Sequence, residues 1–172
     1  MFGKKILIIG CAGSGKTTLA KEISKCTKIP VIHMDKFYWK DSWEKVADIE
    51  WEAKVSSLCQ VESWVMDGNY TSTLSMRMKY ATTVIYLDMP RWKCLLRVFT
   101  RRFKFIHNQT RQDLPENCHE RVNLKFYKWV WNYPKRSRQI TLDMLSNFNG
   151  LAIILKTRRE IKQLVSRLSE QS

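Results

Sequence analysis

The chain has 172 residues, a length that suits one compact domain and leaves too little for two independent ones. It is 44% hydrophobic with seven Trp, which indicates a packed core, yet no apolar stretch approaches the roughly 20 residues of a transmembrane helix. Because it has no such stretch, we expect a soluble protein with no membrane partner. Its five cysteines form no C-x-x-C pair, so we expect reduced thiols and a cytoplasmic location.

Five short apolar or β-branched runs predict buried strands, beginning with residues 6–9, which read as a central parallel strand covered on both faces. The other runs are residues 29–34, 64–66, 83–87 and 151–155. The segments between them are long enough to hold helices. Strands that alternate with helices predict an α/β chain with a doubly wound sheet.

The segment after the first strand matches the phosphate-binding pattern G-x-x-x-x-G-K-[ST], and a helical pattern follows it. Its backbone N–H groups and the N-terminus of the next helix would hold the phosphates of ATP. Lys16 would reach the β- and γ-phosphates, and the Thr17 hydroxyl would coordinate Mg²⁺. The predicted ATP-binding loop consists of Gly10, Cys11, Ala12, Gly13, Ser14, Gly15, Lys16, Thr17 and Thr18.

Acidic residues follow three of the predicted strands, where open α/β sheets bind ligands. Asp35 could orient or deprotonate an acceptor hydroxyl, or could instead be a helix N-cap or turn residue. Asp67 is the candidate carboxylate that assists Mg²⁺ from beside the phosphate-binding loop, and Asp88 competes for that role. The preference for Asp67 rests partly on the resemblance described below. With no N-K-x-D or T-K-x-D guanine motif, the chain fits a small-molecule kinase better than a GTPase or motor.

Basic residues are concentrated between Arg91 and Arg138, where thirteen Lys and Arg against three acidic residues give +10 of the net +14. This concentration indicates a polyanionic partner, either nucleotide phosphates or a nucleic-acid backbone, or else a solvated basic surface. Residues 91–102 predict an amphipathic helix with a basic stripe. Residues 126–133 have the spacing of a core helix, and Thr157 with Glu160 predicts a capping box that begins the last helix.

The chain resembles the adenylate-kinase-like superfamily of nucleoside monophosphate kinases over nearly its whole length. The resemblance rests on the loop, on Asp67-Gly68-Asn69-Tyr70 and on the arginines of the 91–102 helix. Within that group the chain is similar to bacterial DNA topology modulation proteins, through residues 35–39, 64–70 and 110–114 and through Cys118, Glu120 and Arg121. The resemblance implies a P-loop NTPase three-layer sandwich of strand order 2-3-1-4-5. It also implies a mobile helical lid, which we place at residues 97–138 within a single domain of residues 1–172.

The resemblance also implies roles for particular residues. The Asp that assists Mg²⁺ in adenylate kinases corresponds to Asp67, and the lid pattern Arg-x-x-x-Arg-Arg corresponds to Arg97, Arg101 and Arg102. These arginines would clamp the ATP phosphates, with Arg101 stabilising charge on the moving phosphoryl group. The clamp could be completed by Arg111, Arg121, Arg136 and Arg138.

Two departures from the adenylate-kinase pattern concern the acceptor. Ala12 replaces a usual Pro, and Asn69-Tyr70 replaces Phe-Pro-Arg, so the arginine that would hold a monophosphate is missing. We predict an acceptor site of Asp35, Asp67, Tyr70 and Arg77, with Arg77 substituting for the missing arginine. The aromatic residues Phe37, Tyr38, Trp39 and Trp43 could stack a base or pack internally. No role is assigned to His33, His107 and His119.

The sequence therefore predicts an ATP- and Mg²⁺-dependent phosphotransferase of the nucleoside monophosphate kinase type, with Lys16, Arg101 and Asp35 as catalytic residues. Its acceptor would be a nucleotide or another small molecule, and the protein would be a monomer or homodimer. The alternative is an ATP-binding DNA topology modulation or regulatory protein that contacts DNA through the basic segment. A third hypothesis is a nucleotide sensor that has lost the chemistry.

Overall fold

The structure, a computed structural model, describes residues 2–104 and 124–170. Five strands are present in this part of the chain: β1 (Lys5–Gly10), β2 (Val31–His33), β3 (Trp64–Asp67), β4 (Thr83–Leu87) and β5 (Leu151–Leu155). The helices are α1 (Lys16–Thr27), α2 (Asp35–Tyr38), α3 (Asp48–Gln60), α4 (Thr71–Tyr80), α5 (Arg91–Lys104), α6 (Leu124–Trp131), α7 (Gln139–Ser146) and α8 (Arg158–Ser169). Two short turns accompany them, a 3₁₀ turn at Asp41–Trp43 and a π-helical turn at Pro134–Arg138.

The strands form one parallel sheet in the order β2-β3-β1-β4-β5, which confirms the predicted order 2-3-1-4-5. All five strands were predicted from their apolar runs, and the bounds of β4 and β5 agree with the prediction. Because every strand runs in the same direction, the loops that follow the strands meet at one edge of the sheet. The phosphate-binding loop and the acidic residues after β2, β3 and β4 therefore lie along the same edge.

Helices cover both faces of the sheet, so the architecture is a three-layer α/β sandwich. Along β1, Ile6 and Ile8 enter the core beneath α1, α5, α6 and α8, whereas Leu7 and Ile9 enter the core beneath α3, α4 and α7. This alternation follows from the two-residue period of a strand. Each of these side chains is fully buried and stabilises the fold by about 1.5–3 kcal/mol. The phosphate-binding loop thus follows a strand that is buried on both faces.

The predicted helices at the C-terminal side of the sequence are also present. The Thr157 hydroxyl accepts from the Glu160 N–H while the Glu160 carboxylate accepts from the Thr157 N–H, which confirms the capping box at the start of α8. The amphipathic basic helix is α5. On the 126–133 segment, Val130 and Tyr133 are buried as predicted, but Trp129 is half-exposed.

Within residues 2–104 and 124–170, no helix is long and apolar enough to cross a bilayer. Four of the five cysteines lie in these ranges, and all four are free thiols. The residues of the resemblance at 110–114, with Arg111, Cys118, Glu120 and Arg121, lie outside the described residues. The central part of the predicted lid lies there as well.

Candidate active site

The phosphate-binding loop joins the end of β1 to the first turn of α1 and packs tightly against α5. Gly13 has φ of 77°, a left-handed conformation, and a Cβ added to it would lie 2.4 Å from the Cys94 carbonyl oxygen. Only glycine fits both the conformation and the space at this position. The Cys11 thiol is directed away from the loop and donates to the Val130 carbonyl over 3.8 Å, so Cys11 and Gly13 fix the loop to α5 and α6.

Two basic side chains border the loop. The Lys16 ammonium donates to the carbonyl oxygens of Gly10 and Cys11, each at 3.0 Å. The Arg97 guanidinium, from α5, donates to the carbonyls of Gly13 at 3.3 Å and Ser14 at 3.0 Å. Burial and the nearby charge of Arg158 lower the pKa of Arg97. Both predicted phosphate ligands therefore lie at the loop, and both are held by its carbonyl groups.

Asp67 lies beside the loop, at the end of β3. Its Oδ2 accepts a hydrogen bond of 2.7 Å from the Thr17 hydroxyl, and its Oδ1 lies 2.7 Å from Nδ1 of His33. The Asp67 side chain is only 6% exposed. The structure thus brings together the two residues that the sequence analysis assigns to Mg²⁺, Thr17 and Asp67.

Asp88, the competing candidate for Mg²⁺, is engaged elsewhere. Its carboxylate accepts three hydrogen bonds from Arg138, from Nε at 2.9 and 3.2 Å and from Nη2 at 2.8 Å. Arg136 stacks on the ring of Trp129, with the guanidinium carbon 4.4 Å from the ring centroid. Arg138 is thus paired with Asp88, and Arg136 with Trp129. The contact with Thr17 favours Asp67 over Asp88.

Asp35 is the first residue of α2 and is separated from β2 by Met34 alone, and the Tyr70 hydroxyl donates a hydrogen bond to its Oδ1. Burial, and then the negative charge of Asp35, raises the pKa of Tyr70 above its ordinary value. The phenol therefore stays protonated and remains a hydrogen-bond donor. Tyr70 contacts Asp35, so these two predicted acceptor residues form one unit.

The environment of Arg77 is not the one expected of a residue that binds a monophosphate. It is fully buried, and its guanidinium donates to three consecutive carbonyls, those of Gly68 at 2.8 Å, Asn69 at 2.9 Å and Tyr70 at 2.8 Å. Burial lowers the pKa of Arg77 to about 10, which leaves it charged at neutral pH. In this structure Arg77 fixes the turn between Asp67 and Tyr70 from beneath, with no surface turned to solvent.

Aromatic residues form the wall behind Asp35. Tyr38 packs against Trp51 and Tyr70, with ring centroids 5.0 Å and 4.6 Å away, and Trp39 packs edge-on against Trp43 at 5.4 Å. Tyr38 also packs against the buried core beneath α3 and α4. For Tyr38 the internal-packing interpretation is the one that these contacts favour over base stacking.

A cavity of about 330 Å³ lies on the other side of the loop, between the carboxyl end of β4, α5 and the start of α8. Its volume is at the lower end of the range for small-ligand sites. Lysine and arginine side chains from α5 and α8 border it, and Arg97 joins it to the loop. The lining residues are Met89, Lys93, Leu96, Arg97, Thr100 and Arg158.

The residues at the loop suit a nucleotide phosphate with its metal ion. The Ser14 hydroxyl is fully buried and has no hydrogen-bond partner within the described ranges, which is the situation that a bound phosphate oxygen would correct. The first turn of α1 contains no acidic residue that would repel an anion. Thr17 and Asp67 offer hydroxyl and carboxylate oxygens, the donor types that Mg²⁺ prefers.

Sequence reasoning missed two residues of this site. His33 contacts Asp67, and its position at a strand end that pairs with β3 was the available signal. Arg158, the first residue of α8, borders the cavity. It was missed because the sequence interpretation considered residues after β2, β3 and β4 but not those after β5. Of the predicted arginines, Arg101 is partly buried on α5, whereas the side chain of Arg102 lies outside the described part of the structure.

The parallel sheet of order β2-β3-β1-β4-β5 and the phosphate-binding loop after β1 together define an α/β P-loop NTPase fold. No protein-family model matches the chain. An uncharacterized protein of Bacillus subtilis (strain 168), YqaC, is 29% identical over 110 residues, which span 62% of this chain and 61% of that relative. The aligned region thus covers less than two thirds of the relative's length.

Solved structures of similar fold include two kinases. Shikimate kinase from Acinetobacter baumannii, determined with shikimate, has a TM-score of 0.61 at 14% identity over 96% of this chain and 90% of its own. A gluconokinase from Sinorhizobium meliloti 1021 has a TM-score of 0.53 at 14% identity over 99% of this chain and 95% of its own. At sequence identities this low, the comparison establishes a shared fold and nothing more. The resemblance to DNA topology modulation proteins stays a prediction.

Proposed function

We propose that the protein is an ATP-dependent phosphotransferase that acts on a small acceptor. The observation that carries the proposal is the hydrogen bond between the Thr17 hydroxyl and the Asp67 carboxylate, at the mouth of a complete phosphate-binding loop. Such a pair of oxygens beside a phosphate cradle is the arrangement that a magnesium-bound triphosphate needs. The similar fold of two known small-molecule kinases supports the same interpretation.

The donor side would be formed by the loop, with Lys16 leaving the carbonyls of Gly10 and Cys11 to contact the β- and γ-phosphates. Thr17 and Asp67 would hold Mg²⁺, which when bound offsets the negative charge of the phosphates. Arg97 and Arg101, with Arg102, would contact the phosphates from α5. The cavity beside Arg97 has room for the base of the nucleotide.

The acceptor side would be formed by Asp35 and Tyr70. The sheet order places β2 two strands from β1, so the ends of these strands are about 10 Å apart, and an acceptor would bind between Asp35 and the loop. Asp35 would accept the proton of the acceptor hydroxyl or orient it, and Tyr70 would hold the Asp35 carboxylate in position.

A nucleotide is one class of acceptor to test, and hydroxyl compounds are the other. Arg77 lies among backbone carbonyls, so a monophosphate would need another cation, such as Arg111 or Arg121 of the predicted lid at residues 97–138. Both of these residues lie outside the described ranges. DNA contact through the basic segment, a cytoplasmic location and the choice between monomer and homodimer stay predictions for the same chain.

Phosphoryl transfer from Mg-ATP across nucleoside monophosphates, nucleosides, sugars and small hydroxy acids tests the proposal. We expect transfer to one acceptor class and a decrease of about 10²–10³-fold in Lys16→Ala, because a preorganised donor to the transferred group is removed. A wild-type protein that transfers phosphate to none of these compounds, or a Lys16→Ala variant of full activity, would contradict it. Circular dichroism would verify that the variant is folded.

A further inference from the structure

His33 and Asp67 are direct neighbours across the sheet. They are register partners at the carboxyl ends of the parallel strands β2 and β3, so their side chains project from the same face. Nδ1 of His33 lies 2.7 Å from Oδ1 of Asp67, and the two side chains are 11% and 6% exposed. The contact is therefore sheltered from competing water.

The geometry of this contact suits a proton on Nδ1 of His33, because a carboxylate oxygen is a hydrogen-bond acceptor. In that tautomer Oδ1 of Asp67 would accept from Nδ1–H of His33, while Oδ2 accepts from the Thr17 hydroxyl at 2.7 Å. Rotation of the Asp67 carboxylate about its terminal torsion would break both bonds. Without His33, the contact with Thr17 would be left to hold this torsion, which is broad for aspartate in general.

We propose that His33 is a positioning residue, whose Nδ1–H holds the Asp67 carboxylate so that Oδ2 faces Thr17 at the place where Mg²⁺ would be held. This inference rests on the proposed function. Groups that orient a metal's carboxylate or its partners typically change metal affinity or activity by about 10–100-fold when they are removed.

Two substitutions separate the positioning role from simple packing. The amide nitrogen of Asn can occupy the place of Nδ1, whereas the amide nitrogen of Gln reaches the place of Nε2. His33→Asn should therefore preserve the hydrogen bond to Asp67, and His33→Gln should lose it. If His33 only filled space, the larger Gln would be the better replacement.

The experiment measures the affinity of the protein–ATP complex for Mn²⁺, used as a paramagnetic substitute for Mg²⁺, by electron paramagnetic resonance. We expect His33→Gln to weaken Mn²⁺ binding about 10–100-fold and His33→Asn to stay within a few-fold of the wild type. Equal affinities in wild type and His33→Gln, or equal losses in both variants, would overturn the inference. If the wild-type protein bound no ATP at all, the proposed function itself would fail.

A measurement on the unsubstituted side chain protects the test against a variant that does not fold. The ¹⁵N resonances of the His33 ring in the wild-type protein report which nitrogen carries the proton. The inference predicts a proton on Nδ1. A neutral ring with its proton on Nε2 alone would overturn it, because Nδ1 could then not donate to Asp67.

Discussion

Replacement of Arg77 by Met distinguishes a buried structural role from binding of a phosphate-bearing acceptor. The side chain donates to the carbonyls of Gly68, Asn69 and Tyr70, and each bond from a charged donor contributes about 1.5–3 kcal/mol. Removal of the buried guanidinium also relieves a desolvation cost of several kcal/mol. Water can reach the carbonyls of Asn69 and Tyr70, which are only partly buried, and this further reduces the loss.

The balance of these effects is a decrease of about 2–5 kcal/mol in the free energy of unfolding of Arg77→Met. For a domain of this size the melting temperature would fall by about 5–15 °C. Urea unfolding followed by Trp fluorescence, with thermal melting as a second probe, measures both quantities. Lys79→Met is a matched control, because Lys79 is exposed on the same helix.

The opposite result has a clear meaning. If Arg77→Met kept its stability within about 0.5 kcal/mol of the wild type and only raised the KM for a phosphate-bearing acceptor, then Arg77 would bind substrate. The reasoning from its buried hydrogen bonds would then be refuted. A stability loss in Lys79→Met equal to that in Arg77→Met would refute it as well.

Three further predictions concern Asp35, Gly13 and Glu160. Asp35→Asn should lower kcat by about 10²–10⁴-fold at unchanged stability. Tyr70→Phe, which removes only the hydrogen bond to Asp35, should lower kcat less. Steady-state kinetics measure both values, and an equal decrease in the two variants would contradict this prediction. Gly13→Ala should abolish ATP binding in calorimetry, because the new Cβ would meet the Cys94 carbonyl at 2.4 Å and φ is 77° there; normal ATP affinity would contradict it. The backbone N–H of Lys156, with smaller help from Thr157, lowers the pKa of Glu160, so its stabilising effect is present above the ordinary pKa of 4.5 and is lost as the pH falls through the lowered value. Glu160→Gln should thus be less stable than wild type in urea at pH 7, and the difference should shrink as the pH is lowered below 4.5; a difference that stays constant over that range would contradict the prediction.

The sheet could be predicted from the sequence because its strands are buried on both faces. β1 and β4 appear as continuous apolar runs, and the loop motif between β1 and α1 has a fixed spacing that the backbone requires. The pairing of Thr17 with Asp67 could also be anticipated, since both follow from the rule that ligands bind at the carboxyl ends of parallel strands.

Arg77 and His33 show what could not be predicted. Arginine on a helix is usually exposed, and only the path of residues 68–70 over α4 makes a buried cation favourable at position 77. The role of His33 depends on the register between β2 and β3, which is a tertiary property that a local pattern does not contain. Arg77 acts on carbonyl groups seven to nine positions earlier in the chain, and His33 acts on a carboxylate of the neighbouring strand.

The most direct test of the central claim follows the γ-phosphoryl group of ATP labelled with ³²P. Wild-type protein with Mg²⁺ and a mixture of small hydroxyl and monophosphate acceptors should yield a labelled small-molecule product, and Lys16→Ala should yield about 10²–10³-fold less of it in the same time. Label that appears only as inorganic phosphate, or that stays in ATP bound to the protein, would contradict the account and favour a switch or a nucleotide sensor.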